Sequence, residues 1–228
     1  MKADKFRKVL EAEWVAEGDT VRSVLGGEGL RGHLGATIGG RHVLPHRPST
    51  PVRELDVDFS ELPPPTAVVR QGHFHGDEWV HDPAVRGWLT AAAAHQLAVV
   101  CADHLAAAGP AGWFVITDQR IAVVVDSSVV PAPKDAEDTE AEQKDSGSSG
   151  FGRFLGRARS AVSAVADLSE SFRAPSGPPA VTLWECRRDR FVDVRLVTKG
   201  RSSYGYMFSR NEFRDGSVLE IRTNARWP

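Results

Sequence analysis

The sequence is short of cysteine and of net charge. Its 228 residues include two cysteines, Cys101 and Cys186, and the formal net charge is −2 at pH 7. A disulfide framework needs more cysteines, and a zinc site needs ligands at closer spacing. We therefore interpret both thiols as free and buried, and expect no metal cofactor. Because the overall charge is close to neutral, no nucleic-acid partner is expected.

Long apolar runs are missing as well. No segment reaches the roughly 18 consecutive apolar residues that a membrane-spanning helix needs. Met1–Lys5 is not followed by the apolar segment that is typical of a signal peptide. We therefore expect a cytoplasmic protein, or one that is peripheral at the inner face of the membrane.

The first 65 residues are predicted to contain one helix, one strand and a long irregular segment. Apolar spacing favours a helix over Lys2–Glu17 and a strand over Thr20–Leu25. The Gly- and Pro-rich span Gly26–Pro65 lacks periodicity and is predicted to be mostly loop. A G-x-G-x-x-G spacing begins at Gly27, but a dinucleotide site needs a helix directly after these glycines, and further glycines follow instead. No nucleotide cofactor is expected.

The middle of the chain is predicted to hold a short strand and a long helix. Thr66–Gln71 has the β-branched character of a strand. Asp82-Pro83 is a typical helix start and Gly109-Pro110 a typical helix stop. The alanine-rich residues 83–108 are therefore predicted to form one helix.

Six further strands are predicted on either side of an insertion. β-branched and aromatic runs mark each of them, and Asp215-Gly216 is typical of a hairpin turn before the last. These strands are Trp113–Thr117, Ile121–Val125, Val181–Arg187, Phe191–Val197, Tyr204–Ser209 and Ser217–Thr223.

The insertion, residues 131–179, is predicted to be a disordered acidic linker followed by an amphipathic helix over 151–173. The linker is rich in acidic residues, Ser and Gly, and cannot bury enough apolar surface to fold. An apolar stripe flanked by arginines is typical of a helix that binds a membrane surface or a partner. The alternative is that the stripe packs on this protein's own sheet. The candidate binding residues of this helix are Phe151, Arg153, Phe154, Leu155, Arg157 and Arg159.

Three short motifs carry a family resemblance. Thr117-Asp118-Gln119-Arg120 resembles the Thr-Asp-x-Arg hairpin of bacterial pleckstrin-homology-like (PH-like) domains. Leu183-Trp184-Glu185 and Asp215-Gly216-Ser217 resemble later strands and the closing hairpin of that family. The resemblance implies an α+β fold built on a small antiparallel β-barrel or sandwich of PH-like type. That domain would be split into 66–130 and 180–228, after an N-terminal segment, 1–65, and around a helical insertion.

This organisation favours a non-catalytic binding or scaffolding module. PH-like architecture implies a protein partner, engaged at the membrane surface if the insertion helix binds anionic lipid. The second hypothesis is a peripheral membrane protein anchored by the helix 151–173. The third is an enzyme with a histidine-based site, because His73 and His75 share one side of a strand and His81 follows. These three histidines are weak candidates for metal ligands, since no further ligand is obvious.

Overall fold

The computed structural model describes residues 1–27, 31–131, 179–201 and 205–223. Over these ranges the chain forms three α-helices and ten strands, linked by turns and short 3₁₀ segments. The helices are α1 (Ala3–Glu13), α2 (Ala67–Arg70) and α3 (Leu97–Ala108). The strands are β1 (Val21–Gly26), β2 (His33–Ile38), β3 (Arg41–Val43), β4 (Val85–Ala91), β5 (Trp113–Thr117), β6 (Arg120–Asp126), β7 (Ala180–Arg187), β8 (Phe191–Lys199), β9 (Tyr206–Phe213) and β10 (Val218–Arg222).

The strands form two open sheets. One has four strands in the order β1-β5-β6-β7, and the other has six in the order β3-β2-β4-β10-β9-β8. Neighbouring strands are antiparallel, except that β2 runs parallel to β4. The predicted α+β class with mostly antiparallel sheets is therefore confirmed, and the parallel β2–β4 pair was not expected.

Three apolar clusters hold the layers together. The largest lies between the sheets and contains much of α3, with Leu89 of β4 and Phe114 of β5. A second joins α1 to the outer face of the four-stranded sheet, where Phe6 stacks on Trp113 with ring centroids 4.5 Å apart. The third lies on the opposite face of the six-stranded sheet, around Trp88. Both faces of each sheet are thus at least partly covered, which explains why their strands are largely apolar.

The two halves of the chain that flank the insertion meet directly. Val125 of β6 pairs with Val181 of β7, and the N–H of Ser127 donates to the carbonyl oxygen of Pro179 at 3.0 Å. Residues 1–131 and 178–228 belong to one compact unit. Cys101 and Cys186 are both free and buried, as predicted. Among the described helices, none combines the length and apolar character that crossing a membrane requires.

The prediction that 26–65 is mostly loop was wrong for β2 and β3. Glycine masked the strand pattern of β2, because Gly35 sits where a Cβ would collide with the Trp88 ring. A residue without a Cβ is needed at position 35 because of Trp88, which belongs to another strand. This contact cannot be inferred from the residues next to Gly35 in the sequence. The G-x-G-x-x-G spacing leads into strand β2 rather than a helix, which removes the geometry a dinucleotide site needs.

The prediction of one helix over 83–108 was wrong in its first half. Residues Val85–Ala91 form β4, and α3 begins only at Leu97. Strand β4 is buried on both faces, so it reads as a continuous apolar run without alternation. Such a run cannot be distinguished from a segment of a buried helix by its periodicity. Asp82 does not cap a helix at Pro83. Its carboxylate instead accepts the N–H groups of Ala84 and Thr66 at 2.9 and 2.8 Å.

The remaining predictions were corrected in smaller ways. Thr66–Gln71 is not a strand but contains the one-turn helix α2, in which Val69 alone is buried. Helix α1 ends at Glu13, earlier than predicted. Strand β9 continues to Phe213, past the predicted end. The hairpins β5–β6 and β9–β10 and the strands β7 and β8 are confirmed.

Candidate functional site

A cavity of about 410 Å³ opens between the start of β2, the start of β4, the C-terminal end of α3 and the segment 45–62. Its size is within the usual range for sites that bind small ligands or single side chains. The lining is mostly apolar, with four basic residues, and none of the described residues that line it is acidic. The lining residues are Gly32, His33, Leu34, Pro45, His46, Arg47, Pro48, Phe59, Leu62, Arg86, Ala106, Ala107 and Gly109.

Arg86 is the central feature of the cavity. Its side chain is largely buried, with the residue only 5% exposed, and Nη2 donates to the carbonyl oxygen of Leu105 at 3.0 Å. No carboxylate of the described residues forms an ion pair with it. Burial lowers the pKa of the guanidinium to about 10, so Arg86 remains positively charged at neutral pH. A guanidinium has five N–H donors, and the bond to Leu105 uses one of them.

A β-bulge places Arg86 in this position. His33 pairs with Val85, but the next residue, Leu34, pairs with Gly87. Arg86 is therefore the extra residue of β4, and bulges commonly redirect a side chain beside a functional site. Gly32 permits the close approach of the two strands, because its φ is +146° and a Cβ there would lie 2.8 Å from the carbonyl oxygen of Ala84.

The end of α3 stabilises the buried cation. The carbonyl groups in the last turn of a helix carry partial negative charge, and the Leu105 oxygen that accepts from Arg86 belongs to that turn. Gly109 ends the helix with φ of +50°, which glycine adopts more readily than residues that carry a Cβ. This dipole partly compensates the charge, but it leaves the remaining N–H donors of Arg86 without a protein acceptor among the described groups.

His33 lines the cavity as a neutral imidazole. Its Nε2 lies 3.2 Å from the carbonyl oxygen of Pro63. A carbonyl only accepts, so Nε2 carries the proton and Nδ1 is left as an acceptor. Burial lowers the pKa of His33 and the nearby Arg86 lowers it further, whereas the hydrogen bond that His33 donates to the Pro63 carbonyl and the charge of Asp82 oppose this shift. The ring is therefore uncharged at pH 7.

His46 is held by a buried carboxylate. Its Nε2 lies 2.6 Å from Oδ1 of Asp103, which is fully buried on α3. The other oxygen of Asp103 accepts four bonds from the backbone N–H and hydroxyl groups of Ser49 and Thr50, at 2.8 to 3.1 Å. Burial by itself would raise the pKa of Asp103, but these hydrogen bonds outweigh it and the pKa is lowered. Asp103 is thus an ionised anchor that fixes the cavity wall 45–50 onto α3.

The arrangement is suited to binding rather than to nucleophilic catalysis. A catalytic serine would have to donate to His46, but the Ser49 hydroxyl donates to Asp103 instead. Cys101 is fully buried, and burial raises the pKa of its thiol well above the ordinary value, so it is not a reactive thiolate. What the cavity provides is the buried cation of Arg86, the neutral imidazole of His33 and apolar walls.

The rim adds charge and apolar surface. Arg47 is exposed at the mouth of the cavity. Phe59 is 45% exposed and packs closely on Gly109, where a Cβ would collide with its ring. Leu34 and Leu62 complete the apolar walls. An anion attached to an apolar group is the complementary ligand, because its charge would meet Arg86 while its body replaces water on these surfaces.

None of the sequence-predicted site residues that the structure describes lines this cavity. Phe151, Arg153, Phe154, Leu155, Arg157 and Arg159 fall outside the described residues. His73, His75 and His81 are exposed, and His81 packs edge-on against Tyr206 with centroids 5.8 Å apart. In the described part of the chain, no three His, Cys, Asp or Glu side chains come together in a way that could hold a metal ion.

Sequence reasoning missed Arg86 and His46. The available signal for Arg86 was a single arginine inside an apolar run, Val85–Ala91, where a charged residue is rarely buried. That signal loses its meaning once the run is interpreted as a helix, because one face of a helix is expected to be polar. His46 lies in a Pro-rich segment and had no pattern to distinguish it.

Comparison of the chain with protein-family models, with curated proteins and with solved structures gives no match. The assignment of the candidate site therefore rests on the geometry and chemistry of the cavity alone.

Proposed function

We propose that the chain is a non-catalytic binding module whose cavity takes a carboxylate attached to an apolar group. The observation that carries this proposal is Arg86, a buried charged side chain that lines a mostly apolar cavity and has no carboxylate partner among the described residues. A buried charge without a counter-ion is costly. A ligand carboxylate would supply the missing partner through a bidentate pair of hydrogen bonds.

The chemistry favours a carboxylate over a phosphate. A phosphate dianion usually needs several cationic or backbone N–H donors around it, whereas the base of this cavity offers one guanidinium. The neutral state of His33 also limits the positive charge available. The apolar surface of Leu34, Leu62 and Phe59 would contact the apolar group to which the carboxylate is attached.

A protein partner is the source that we propose for this carboxylate. The C-terminal residue of a chain combines a carboxylate with an apolar side chain, and capture of such termini is an established mode of peptide recognition. A free carboxylic acid with an alkyl chain carries the same chemistry. The two sources are separated by the ligands used in the experiment below.

The experiment is isothermal titration calorimetry with two ligands and their neutral analogues. N-acetyl-leucine represents a protein C-terminus and octanoate a free acid, with N-acetyl-leucinamide and octanol as controls. We expect at least one acid to bind and its neutral analogue to bind at least about tenfold more weakly, a difference of about 1.4 kcal/mol. Preference for N-acetyl-leucine supports the protein source, and preference for octanoate indicates a free acid.

Arg86→Met tests the role of the guanidinium. Methionine keeps much of the length and apolar volume but removes the charge, so acid binding should fall to the level of the neutral analogue. Replacing a buried charge that lacks a counter-ion by an apolar side chain should not unfold the protein. Arg70→Met, at an exposed arginine outside the cavity, is the matched control and should bind as the wild type does. Equal binding of acids to Arg86→Met and wild type would contradict the proposal.

We also propose that the described unit is a divergent bacterial PH-like domain. Support comes from the two hairpins on which the resemblance rests. In β5–β6 the N–H of Arg120 donates to the hydroxyl of Thr117 at 3.0 Å, and in β9–β10 the N–H of Gly216 donates to the carbonyl oxygen of Phe213 at 3.0 Å. An experimental structure whose strands superimpose on a PH-like barrel would establish the assignment, and one that cannot be superimposed would remove it.

The membrane surface is a second proposed partner, based on the Arg-flanked, Phe-led pattern of 151–173 in the sequence. Co-sedimentation with anionic vesicles tests it. Phe154→Asp should reduce binding severalfold if this segment is the anchor, and unchanged binding would contradict that role. A cytoplasmic location is part of the same proposal and is supported by the two free, buried thiols.

A further inference from the structure

Strand β8 ends the six-stranded sheet. It is nine residues long, Phe191–Lys199, and pairs with β9 along one side. No strand of the described ranges pairs along its other side. A long edge strand presents a row of backbone N–H and C=O groups that can pair with another chain, and proteins usually limit such pairing with proline, a very short strand, a bulge or charged side chains. Strand β8 contains no proline, its bulge lies at its first residues, and its exposed charges Asp193 and Arg195 are of opposite sign.

Two apolar side chains are exposed on this edge strand. Val192 and Leu196 are each 57% exposed, the largest exposures among the big hydrophobic residues of the described chain. The register slips between Phe191 and Asp193, so that both Phe191 and Val192 lie opposite Phe213 of β9. Beyond this bulge the strand alternates regularly, which places Val194 and Leu196 on the same face, and a partner strand that continues this alternation would meet Val192 as well.

The other face of the strand carries opposite charges two residues apart. Asp193 and Arg195 are solvent-accessible, with 40% and 52% of their side chains exposed, and they form an ion pair of 2.7 Å within the chain. Arg195 also contacts Glu212 of β9 at 2.8 Å. Both charges therefore lie on this face of β8, where Arg195 bridges Asp193 and the neighbouring strand β9.

We propose that β8 pairs antiparallel with β8 of a second copy of this chain, in a register centred on Val194. A two-fold axis perpendicular to the sheet relates the two copies and leaves the same face of both sheets on the same side. A residue of one β8 strand therefore lies opposite a residue of the partner strand whose side chain points to the same face. Centring on Val194 places Val192 opposite Leu196 of the partner and Asp193 opposite Arg195 of the partner. The exposed apolar residues and the exposed charges are then both matched.

The neighbouring registers are unfavourable. Centring the two-fold on Asp193 would bring two carboxylates directly opposite each other, and centring it on Arg195 would do the same with two guanidinium groups. Like charges directly opposite across a strand pair are destabilising. The order apolar-acid-apolar-base-apolar over 192–196 thus favours the register centred on Val194 over both of its neighbours, and it is complementary to itself in a second copy. This inference does not depend on the Arg86 cavity, which involves none of these residues.

The test is register-specific cross-linking. Val192→Cys and Leu196→Cys proteins, one of them carrying a mass tag, are mixed and treated with a short bis-maleimide. We expect the mixed pair to give a cross-linked heterodimer, because the two positions are directly opposite. Each variant alone should give little product, because equivalent positions are then about 13 Å apart along the strand. Cys101 and Cys186 are buried, and the wild type controls for their reaction.

A charge exchange completes the test. Arg195→Asp should shift the monomer–dimer equilibrium towards monomer by at least tenfold in sedimentation experiments, and Asp193→Arg/Arg195→Asp should restore the dimer. Sedimentation as a monomer at concentrations of hundreds of micromolar would overturn the proposal, as would a dimer that does not respond to the exchange. Equal cross-linking in the single variants would overturn the register. If another segment of the same chain covered β8, the wild type would be monomeric, which also contradicts it.

Discussion

Two buried charged residues near α3, Asp103 and Arg86, differ in how far hydrogen bonds compensate the free-energy cost of burying their charge. Asp103 satisfies its carboxylate with five hydrogen bonds from His46, Ser49 and Thr50. Arg86 has one bond, to the Leu105 carbonyl. A fully satisfied charge fixes structure, whereas an under-satisfied one retains the ability to bind. The difference between the two residues is the reason for assigning the first to the cavity wall and the second to the ligand.

Removing the charge of Asp103 should destabilise the protein in a pH-dependent way. Asp103→Asn weakens the bonds to His46 and Thr50 and should cost about 1–3 kcal/mol at pH 7. Because the folded-state pKa of Asp103 is lowered, its stabilisation is present above the ordinary carboxyl pKa of about 4 and is lost as pH falls through the lowered value. The difference between variant and wild type in urea denaturation should therefore shrink in acid. Asp56→Asn, at an exposed aspartate, is the control, and a pH-independent difference would contradict the assignment.

Strand β2 depends on a partner that is remote in sequence. Gly35 faces the ring of Trp88 on β4, and the Trp88 Nε1–H donates to the hydroxyl of Thr37 at 2.9 Å. The strand is placed by this aromatic residue and by parallel pairing to β4. A parallel pair needs a long connection, and here that connection runs through the Pro-rich residues 44–83, which also form walls of the cavity.

Gly35→Ala should destabilise the sheet by about 1–3 kcal/mol, because the added methyl group overlaps the Trp88 ring. Urea denaturation followed by fluorescence measures the loss. The matched test is a double-mutant cycle with Trp88→Phe, whose smaller ring leaves room for the methyl group. Trp88→Phe should cost less in the Gly35→Ala background than in the wild type. Additive effects would show that the two residues do not compete for the same space.

Helix α3 obtains its N-terminal cap from the β9–β10 hairpin. Its own first residues provide no side-chain cap. The N–H of Leu97 donates to Asp215 at 2.6 Å, and the N–H of Ala98 donates to the Ser217 hydroxyl at 3.0 Å. The first backbone N–H groups of a helix have no acceptor within the helix, and these bonds provide acceptors for two of them. They also connect the helix that bears Asp103 to the β9–β10 hairpin of the six-stranded sheet.

Ser217→Ala should loosen the start of α3. The fully buried hydroxyl accepts from Ala98 and donates to Asp215 at 2.6 Å, so its removal should cost about 1–2 kcal/mol. Hydrogen exchange at Ala98 should accelerate more than exchange in the centre of β6. Ser128→Ala, at an exposed serine, should leave both measurements unchanged. Unaltered exchange at Ala98 in the Ser217→Ala protein would contradict the capping role.

The whole molecule is organised around a discontinuous compact unit. Residues 1–131 and 178–228 contribute to the same sheets, and β6 and β7 pair directly across the insertion in the chain. Because Ser127 and Pro179 are hydrogen-bonded neighbours, the connection between them needs to span only a short distance. A short linker could make the same connection.

Replacing residues 132–177 by a short Gly/Ser linker should leave the compact unit folded. Closing a shorter loop costs less entropy, so the free energy of unfolding should be unchanged or higher by about 1 kcal/mol. Urea denaturation and tryptophan fluorescence measure this, with the full chain as reference. The shortened protein should still bind the acid at the Arg86 cavity. Loss of cooperative unfolding would show that the insertion is needed for the fold.

The strands β5 to β10 were predictable from the sequence because their signals are local. Alternating or β-branched runs define the strands, and short turns such as Asp215-Gly216 define the pairing of neighbours. The free thiols and the α+β class follow from similarly local or compositional reasoning. Helix α1 and strand β1 were also predicted, with bounds that differ by a few residues. Strands β2, β3 and β4 were not predictable, since Gly35, Arg86 and Trp88 have the residue types they do because of contacts between distant segments.

The cavity was decided by tertiary structure alone. Arg86 by itself is one arginine in an apolar run, and it lines the cavity only because a bulge between β2 and β4 turns it toward the end of α3. The sequence determined the hairpins, since each depends on residues a few positions apart. Burial, charge pairing and the register between remote strands depend on which segments meet, and no local pattern carries that information.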